Sequence, residues 1–197
     1  MNNQHRRRGD ELVNDIKKAA LNILITDGYA SVTFASVARQ AHTSRSVLYH
    51  YWDTAFDLML DSVHDGMINR VSQGDLDLSK RSLRDNLVSV GEFFLNNLTQ
   101  IPLEFSQAMF YQLSQHHNKV SEILDDANQN SLSAMKHILE FAIEHHEIRI
   151  MPPLNTQLTL FQLIRYRFVV ENQKMDRKEI KKLVDQVVLP AILEQGA

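Results

Sequence analysis

Six residues close together carry the densest hydrogen-bonding chemistry in this chain: Thr43, Ser44, Arg45, Ser46, Tyr49 and His50. Arginine offers a planar fork of donors that pairs with the guanine edge in the major groove of DNA, while hydroxyl and imidazole groups bond phosphate oxygens. Arg45 is therefore the first candidate for reading a base, with a phosphate contact or a solvated surface position as the plain alternatives. Thr43 and Ser46 suit bases or phosphates. Tyr49 and His50 suit phosphates, with partial core packing as the alternative for the Tyr49 ring. Thr33 lies upstream as a helix cap whose backbone amide could also meet a phosphate. Arg6, Arg7 and Arg8 form a basic run that reads as an arm toward phosphates or a minor groove, or as a solubilising tail.

Other chemistries find little support. There is no cysteine, which removes disulfides, thiolate metal sites and cysteine nucleophiles. No Gly-rich phosphate loop, nucleophile elbow or His-Glu-x-x-His pattern is present, so neither an enzyme nor a cofactor is expected. Among the nine histidines, the pairs His116-His117 and His145-His146 point apart on a helix. His137, Glu140 and Glu144 have helical spacing, but solvated side chains are the simpler account and no metal site is expected.

The elements that must position the polar group follow from apolar periodicity. Leu12, Val13, Ile16, Ala19, Ala20, Ile23 and Leu24 share one face of a first helix, with Asp10 as its expected cap and Gly28 as its end. Thr33 caps a short helix carrying Phe34, Val37, Ala38 and Ala41. A break at His42 to Ser44 has the length of a helix-turn-helix turn. Ser44 then caps a second short helix with Val47, Leu48 and Tyr51. Thr54 and Asp57 open a fourth helix through Val63. Phe34, Val37, Ala38, Leu48 and Tyr51 are expected to brace the short helices, leaving Arg45, Ser46, Tyr49 and His50 outward. A small polar helix of this kind fits a major groove.

Residues 72–82 are polar and read as a connection. Helical patterns resume at Leu83, at Pro102, from Val120 to Ala142, after Pro152-Pro153, and from Asp176 with Glu179 as a capping pair. Pro190 should kink or end the last helix. The expectation is an all-α protein of about nine helices, with an N-terminal three-helix DNA-binding domain (1–53) and a helical-bundle domain (54–197).

Composition agrees with this outline. Of the 197 residues, 44% are apolar and 23% charged, enough for a buried core. No apolar run reaches the length of a membrane span, and the basic N-terminus lacks an apolar segment behind it, so a cytoplasmic location without membrane association is expected. Net charge is −3, yet residues 1–52 carry +3 and the remainder −6. A positive end on a negative body suits docking one face on phosphates.

The stretch Gly28 to Leu58, GYASVTFASVARQAHTSRSVLYHYWDTAFDL, resembles the DNA-binding region of TetR-type repressors. Gly28, Thr33, Val37, Ala38, Ala41, Ser44, Leu48, Tyr49 and Tyr51 fall in register with the family pattern over one gapless window. Trp52 stands where the family usually has phenylalanine, His42 replaces the turn glycine, and Ser46 replaces a glycine of the recognition helix. Ala55 and Phe56 occupy positions usually held by lysine and glutamate, and that lysine commonly touches a phosphate.

The resemblance implies a dimer that binds a palindromic operator on double-stranded DNA and is released by a small-molecule effector. It implies a homodimer interface on the last two helices, here Phe161, Ile164, Arg165, Phe168, Leu183 and Val187. It also implies an effector pocket among the middle helices, with Phe94, Leu98, Phe105, Met109, Phe110, Met135 and Phe161 as lining. The alternative is a TetR-like adaptor acting through protein partners, with weak or lost DNA binding, motivated by His42 and Ala55.

Overall fold

The computed structural model describes the backbone of residues 3–68 and 82–195, and the side chains of 9–65 and 82–194. Among these residues the chain forms nine helices and no strand, as the periodicity predicts. They are α1 (Asn3–Asp27), α2 (Phe34–Gln40), α3 (Arg45–Tyr51), α4 (Ala55–Ile68), α5 (Leu83–Thr99), α6 (Leu103–Ser114), α7 (Asn118–Glu144), α8 (Leu154–Arg165, continued by a π-helical turn Tyr166–Val170) and α9 (Arg177–Leu183, a π-helical turn Val184–Val188, then Leu189–Gln195). A 3₁₀ turn, Tyr29–Ser31, follows α1.

Two compact units form. One comprises residues 1–71 with 104–108, and the other residues 72–103 with 109–197. In the first, α1 packs against α2 and α4. Ile16, Ala20, Ile23 and Leu24 are buried together with Val37, Ala38 and Leu48 and with Leu58, Met59 and Leu60 of α4. The Phe105 ring completes this core, meeting Tyr29 at 5.5 Å and Phe56 at 5.6 Å between centroids. Lys17 Nζ donates to Asp65 Oδ2 at 2.6 Å and ties α1 to α4 at the surface.

In the second unit α5 packs on α7, α8 and α9. Leu87, Val90, Met135, Ile138, Leu139, Leu160, Ile164, Ile180, Val184 and Val188 fill its core. Ser82 caps α5 by accepting from the Asp85 amide, and both Glu147 carboxylate oxygens accept from the Leu83 amide, at 3.0 and 2.9 Å. On the surface, Arg84 donates twice to Asp185, at 2.6 and 2.7 Å. This pairing raises the guanidinium and holds the Asp185 carboxyl below its ordinary value.

Helix ends account for several histidines. His42, His116 and His146 take positive φ angles of 52°, 60° and 60°, each just past the last helical residue and its cap. In each case the next amide reaches back to a carbonyl five residues earlier: Thr43 to Ala38, His117 to Gln112 and Glu147 to Ala142, at 2.9, 3.1 and 2.9 Å. This is the Schellman ending, in which a left-handed residue lets two amides satisfy orphan carbonyls. Asn172 plays the left-handed role after α8. The adjacent histidine pairs are thus helix terminators, and no group of three His, Asp or Glu among the described residues is placed to hold a metal ion.

Two expectations about helix limits are corrected. Asp10 does not cap α1, which begins at Asn3; the intervening glutamine and arginines are good helix formers, and Gly9 alone does not stop propagation. Of the two outcomes expected at Pro190, a kink or an end, the end does not occur, since α9 runs to Gln195. The π-helical turn Val184–Val188 immediately precedes it, and such a widened turn absorbs the lost amide and the ring. The expected connection at 72–82 lies outside the described residues except for Ser82.

Gly91 marks a tight approach in the second unit. A Cβ there would stand 2.8 Å from Ile180 Cγ2 and 3.3 Å from Ile164 Cδ1, and both isoleucines are sealed in the core. Helix propensity favours Gly91→Ala by about 1 kcal/mol, whereas overpacking costs about 1–3 kcal/mol. Gly91→Ala is expected to lower stability in denaturant unfolding; a stabilised variant would show that α5 has room to shift.

Candidate nucleic-acid interface

A seven-residue helix does not persist alone in water, so the geometry of α3 is set by what holds it. Leu48 is fully buried. Trp52, the residue that ends α3, is also buried, and its Nε1–H donates to Asp61 Oδ2 of α4 at 2.8 Å. Burying a large apolar side chain stabilises by about 1.5–3 kcal/mol. That outweighs the roughly 1 kcal/mol forgone at the other end, where Ser44 occupies the cap position without capping a backbone amide. The Ser44 hydroxyl instead bonds Ser46 Oγ at 2.7 Å.

The α2 helix is more firmly capped. Thr33 Oγ1 accepts from the Ser36 amide at 3.1 Å, and Ser36 Oγ accepts from the Thr33 amide at 3.0 Å. The Thr33 amide, expected to meet a phosphate, is engaged here by Ser36 Oγ. Thr54 and Asp57 make the same reciprocal pair at the start of α4, at 3.0 and 3.1 Å. Between α2 and α3, His42 in the left-handed region replaces the usual glycine without opening the turn. A non-glycine residue pays for that conformation in sterics, and the Thr43-to-Ala38 bond closes the turn around it.

The outward face of α3 carries the expected side chains. Arg45, Ser46, Tyr49 and His50 are exposed, as is Ser44, while Thr43 is half-buried. Tyr49 is 64% exposed, with its ring edge-on to Phe34 at 4.6 Å, so packing holds the ring while the phenol end faces solvent. Tyr51 does not brace the helix as expected: it is 45% exposed, and Trp52 takes the buried role. A tryptophan at the usual phenylalanine position was the signal for this anchor, since a buried indole seeks an acceptor. Arg6, Arg7 and Arg8 belong to the first turns of α1 rather than to a preceding arm, and their side chains lie outside the described residues.

Among known sequences, the profile of the family "Bacterial regulatory proteins, tetR family" matches residues 16–59, the span from the core face of α1 through the braced α3 into α4. Residues 16–59 carry a TetR-type helix-turn-helix. An uncharacterized HTH-type transcriptional regulator of Mycobacterium tuberculosis is 22% identical over 180 residues, covering 90% of this chain and 86% of that protein. A Mesorhizobium loti protein assigned to the TetR family shares the fold with a TM-score of 0.65 at 13% identity, over 93% of this chain and 96% of that one. A TetR transcription regulator from Haloarcula marismortui superposes with a TM-score of 0.60 at 18% identity, over 93% and 97%.

Several residues expected at the effector pocket or the dimer interface are buried. Met135 and Phe161 are buried in the core and Phe105 belongs to the first unit, and none of the three lines the cleft between α6, α7 and α8. Phe94 and Leu98 pack half-buried against the core, and Met109 is half-buried. Phe110 does line a cleft, of about 390 Å³, formed by α6, α7 and α8. Of the residues expected at a dimer interface, Phe161, Ile164 and Leu183 are sealed inside, because the inward stripes of α8 and α9 fill their own core. Phe168 is half-buried against that core, Arg165 lines the cleft, and Val187 is exposed together with Leu154, Tyr166, Val170 and Leu193. No helix among the described residues is long and apolar enough to cross a membrane.

Trp52→Phe keeps most of the apolar contact but removes the indole donor to Asp61. A lost hydrogen bond to a carboxylate costs about 1.5–3 kcal/mol. The variant is expected to unfold at lower denaturant concentration and to bind DNA more weakly in proportion. Unchanged unfolding would show that the indole nitrogen does not anchor α3.

Proposed function

We propose that this chain is a repressor that binds a palindromic DNA site as a homodimer and lets go when a small molecule occupies its helical unit. The observation that carries the reading is α3: a short helix held by Leu48 and Trp52, with Arg45, Ser46, Tyr49 and His50 all turned outward. On this reading Arg45 reads a base edge, Ser46 and Thr43 touch bases or phosphates, and Tyr49 and His50 set register on the backbone. The helices through residue 53 form the DNA-reading domain and the remainder receives the effector and the partner, in the cytoplasm.

Dimerisation follows from how little surface one such helix buries on DNA: specific recognition by this motif draws on two half-sites. The apolar side chains left exposed on α8 and α9, Leu154, Tyr166, Val170, Val187 and Leu193, give a second copy a surface to cover. Effector release is then a population shift, in which a ligand that fits one spacing of the two DNA-reading helices favours that spacing.

The test is selection of bound duplexes from random DNA, followed by titration of wild-type and Arg45→Ala protein on the selected site and on a scrambled one. Arg45→Ala is expected to lose about 1–3 kcal/mol on the selected site and to relax preference at one base pair. Equal loss on both duplexes would reduce Arg45 to a phosphate contact. Recovery of no sequence preference, or a monomer by light scattering at micromolar concentration, would overturn the repressor reading in favour of an adaptor that works through protein partners.

A further inference from the structure

Arg165 is the misfit of the second unit. Arg84 and Arg177 each hold a carboxylate at 2.6 Å, from Asp185 and Glu92. Among the described residues Arg165 instead reaches only a neutral acceptor, donating from Nη1 to Asn128 Oδ1 at 3.2 Å. Its guanidinium lies 5.5 Å from the centroid of the Phe94 ring, and Phe94 in turn abuts the buried Phe161 edge-on at 5.1 Å. Among the described residues no carboxylate stands within ion-pair distance of Arg165, although Asp125 lines the same cleft from α7, one turn before Asn128. Burial lowers the pKa of the guanidinium, the mark of a cation that has given up water without gaining a counter-charge.

The surroundings define what would complete it. The cleft holds about 390 Å³, within the roughly 300–1,000 Å³ of small-molecule sites. Phe110, Leu113 and Leu124 supply an apolar wall, while Asn128 and Gln162 stand beside Arg165 as hydrogen-bonding groups. Guanidinium forks pair best with planar or tetrahedral oxyanions. We propose that this cleft receives an amphiphilic anion, its carboxylate or phosphate head on Arg165 and its apolar chain along Phe110, Leu113 and Leu124. The proposal rests on the reading of the helical unit as the effector receiver, and it names the class of effector. Asp125 then acts as a selectivity element: its charge disfavours any anion whose head strays from Arg165.

The experiment is calorimetric titration of the full chain with decanoate, decyl phosphate and decanol below their aggregation limits, on wild type, Arg165→Gln, Arg165→Lys and Asp125→Asn. At least one of the two anions is expected to bind about tenfold or more tightly than decanol, and the tighter of them identifies the head group. Arg165→Gln should lose that preference while decanol affinity stays unchanged, and Arg165→Lys should keep part of it. Asp125→Asn, at an exposed position that does not threaten folding, should tighten both anions several-fold. Equal affinity for decanol and both anions, or anion affinity indifferent to Arg165→Gln or to Asp125→Asn, would overturn the proposal. Operator affinity measured with saturating anion is a separate readout. Anion binding that leaves DNA affinity unchanged would remove the effector role while the anion site stands.

Discussion

The burial of Leu48 and Trp52 is the contact on which the proposed DNA-reading surface depends. A helix of seven residues has too few internal hydrogen bonds to repay its own nucleation, and α3 has no side-chain cap at its start. Its direction and register therefore come from the two side chains sunk into the first unit and from the indole bond to Asp61. Everything offered on the opposite face, Arg45 above all, is only as well placed as that anchor. The core of α1 and α4 and the Phe105 ring beneath them are the mass that the anchor is set in.

The turn before α3 is the second constraint. Its left-handed residue is a histidine, and the same residue type ends α6 and α7. Glycine takes this conformation without steric cost, while histidine is among the side chains that tolerate it. What compensates is the pair of backbone bonds each Schellman ending recovers. The departure of His42 from the family pattern thus leaves the turn closed and places Thr43 and Ser44 where the pattern expects them.

Much of this was legible in the sequence, and the limits have physical causes. The 3.6-residue periodicity marked the helices, and the caps at Thr33, Thr54 and Asp176 fixed three of their starts, because short polar side chains satisfy free amides at few other places. The start of α1 was missed because a good cap residue, Asp10, lies inside a segment of strong helix formers. Pro190 misled for a different reason: local rules see the lost amide but not the π-helical turn that absorbs it. On α8 and α9, periodicity separates one face from another but does not say whether an apolar face meets the chain's own core or another copy. Phe161, Ile164 and Leu183 turned out to be core, whereas Tyr166 and Val170, carried on the π-helical turn, are exposed. Arg165 was expected at a dimer interface by resemblance alone; that its neighbours are Asn128 and Phe94 rather than a carboxylate is a fact of packing.

The most direct test of the central claim is an amide NMR titration of the protein with its selected duplex. The account predicts that perturbations concentrate at the turn and exposed face of α3, from Thr43 to His50, while the amides around Leu48 and Trp52 keep their protection from hydrogen exchange in free and bound protein alike. Perturbations centred elsewhere, or an α3 that exchanges freely until DNA is added, would contradict a recognition helix held in place by its own core.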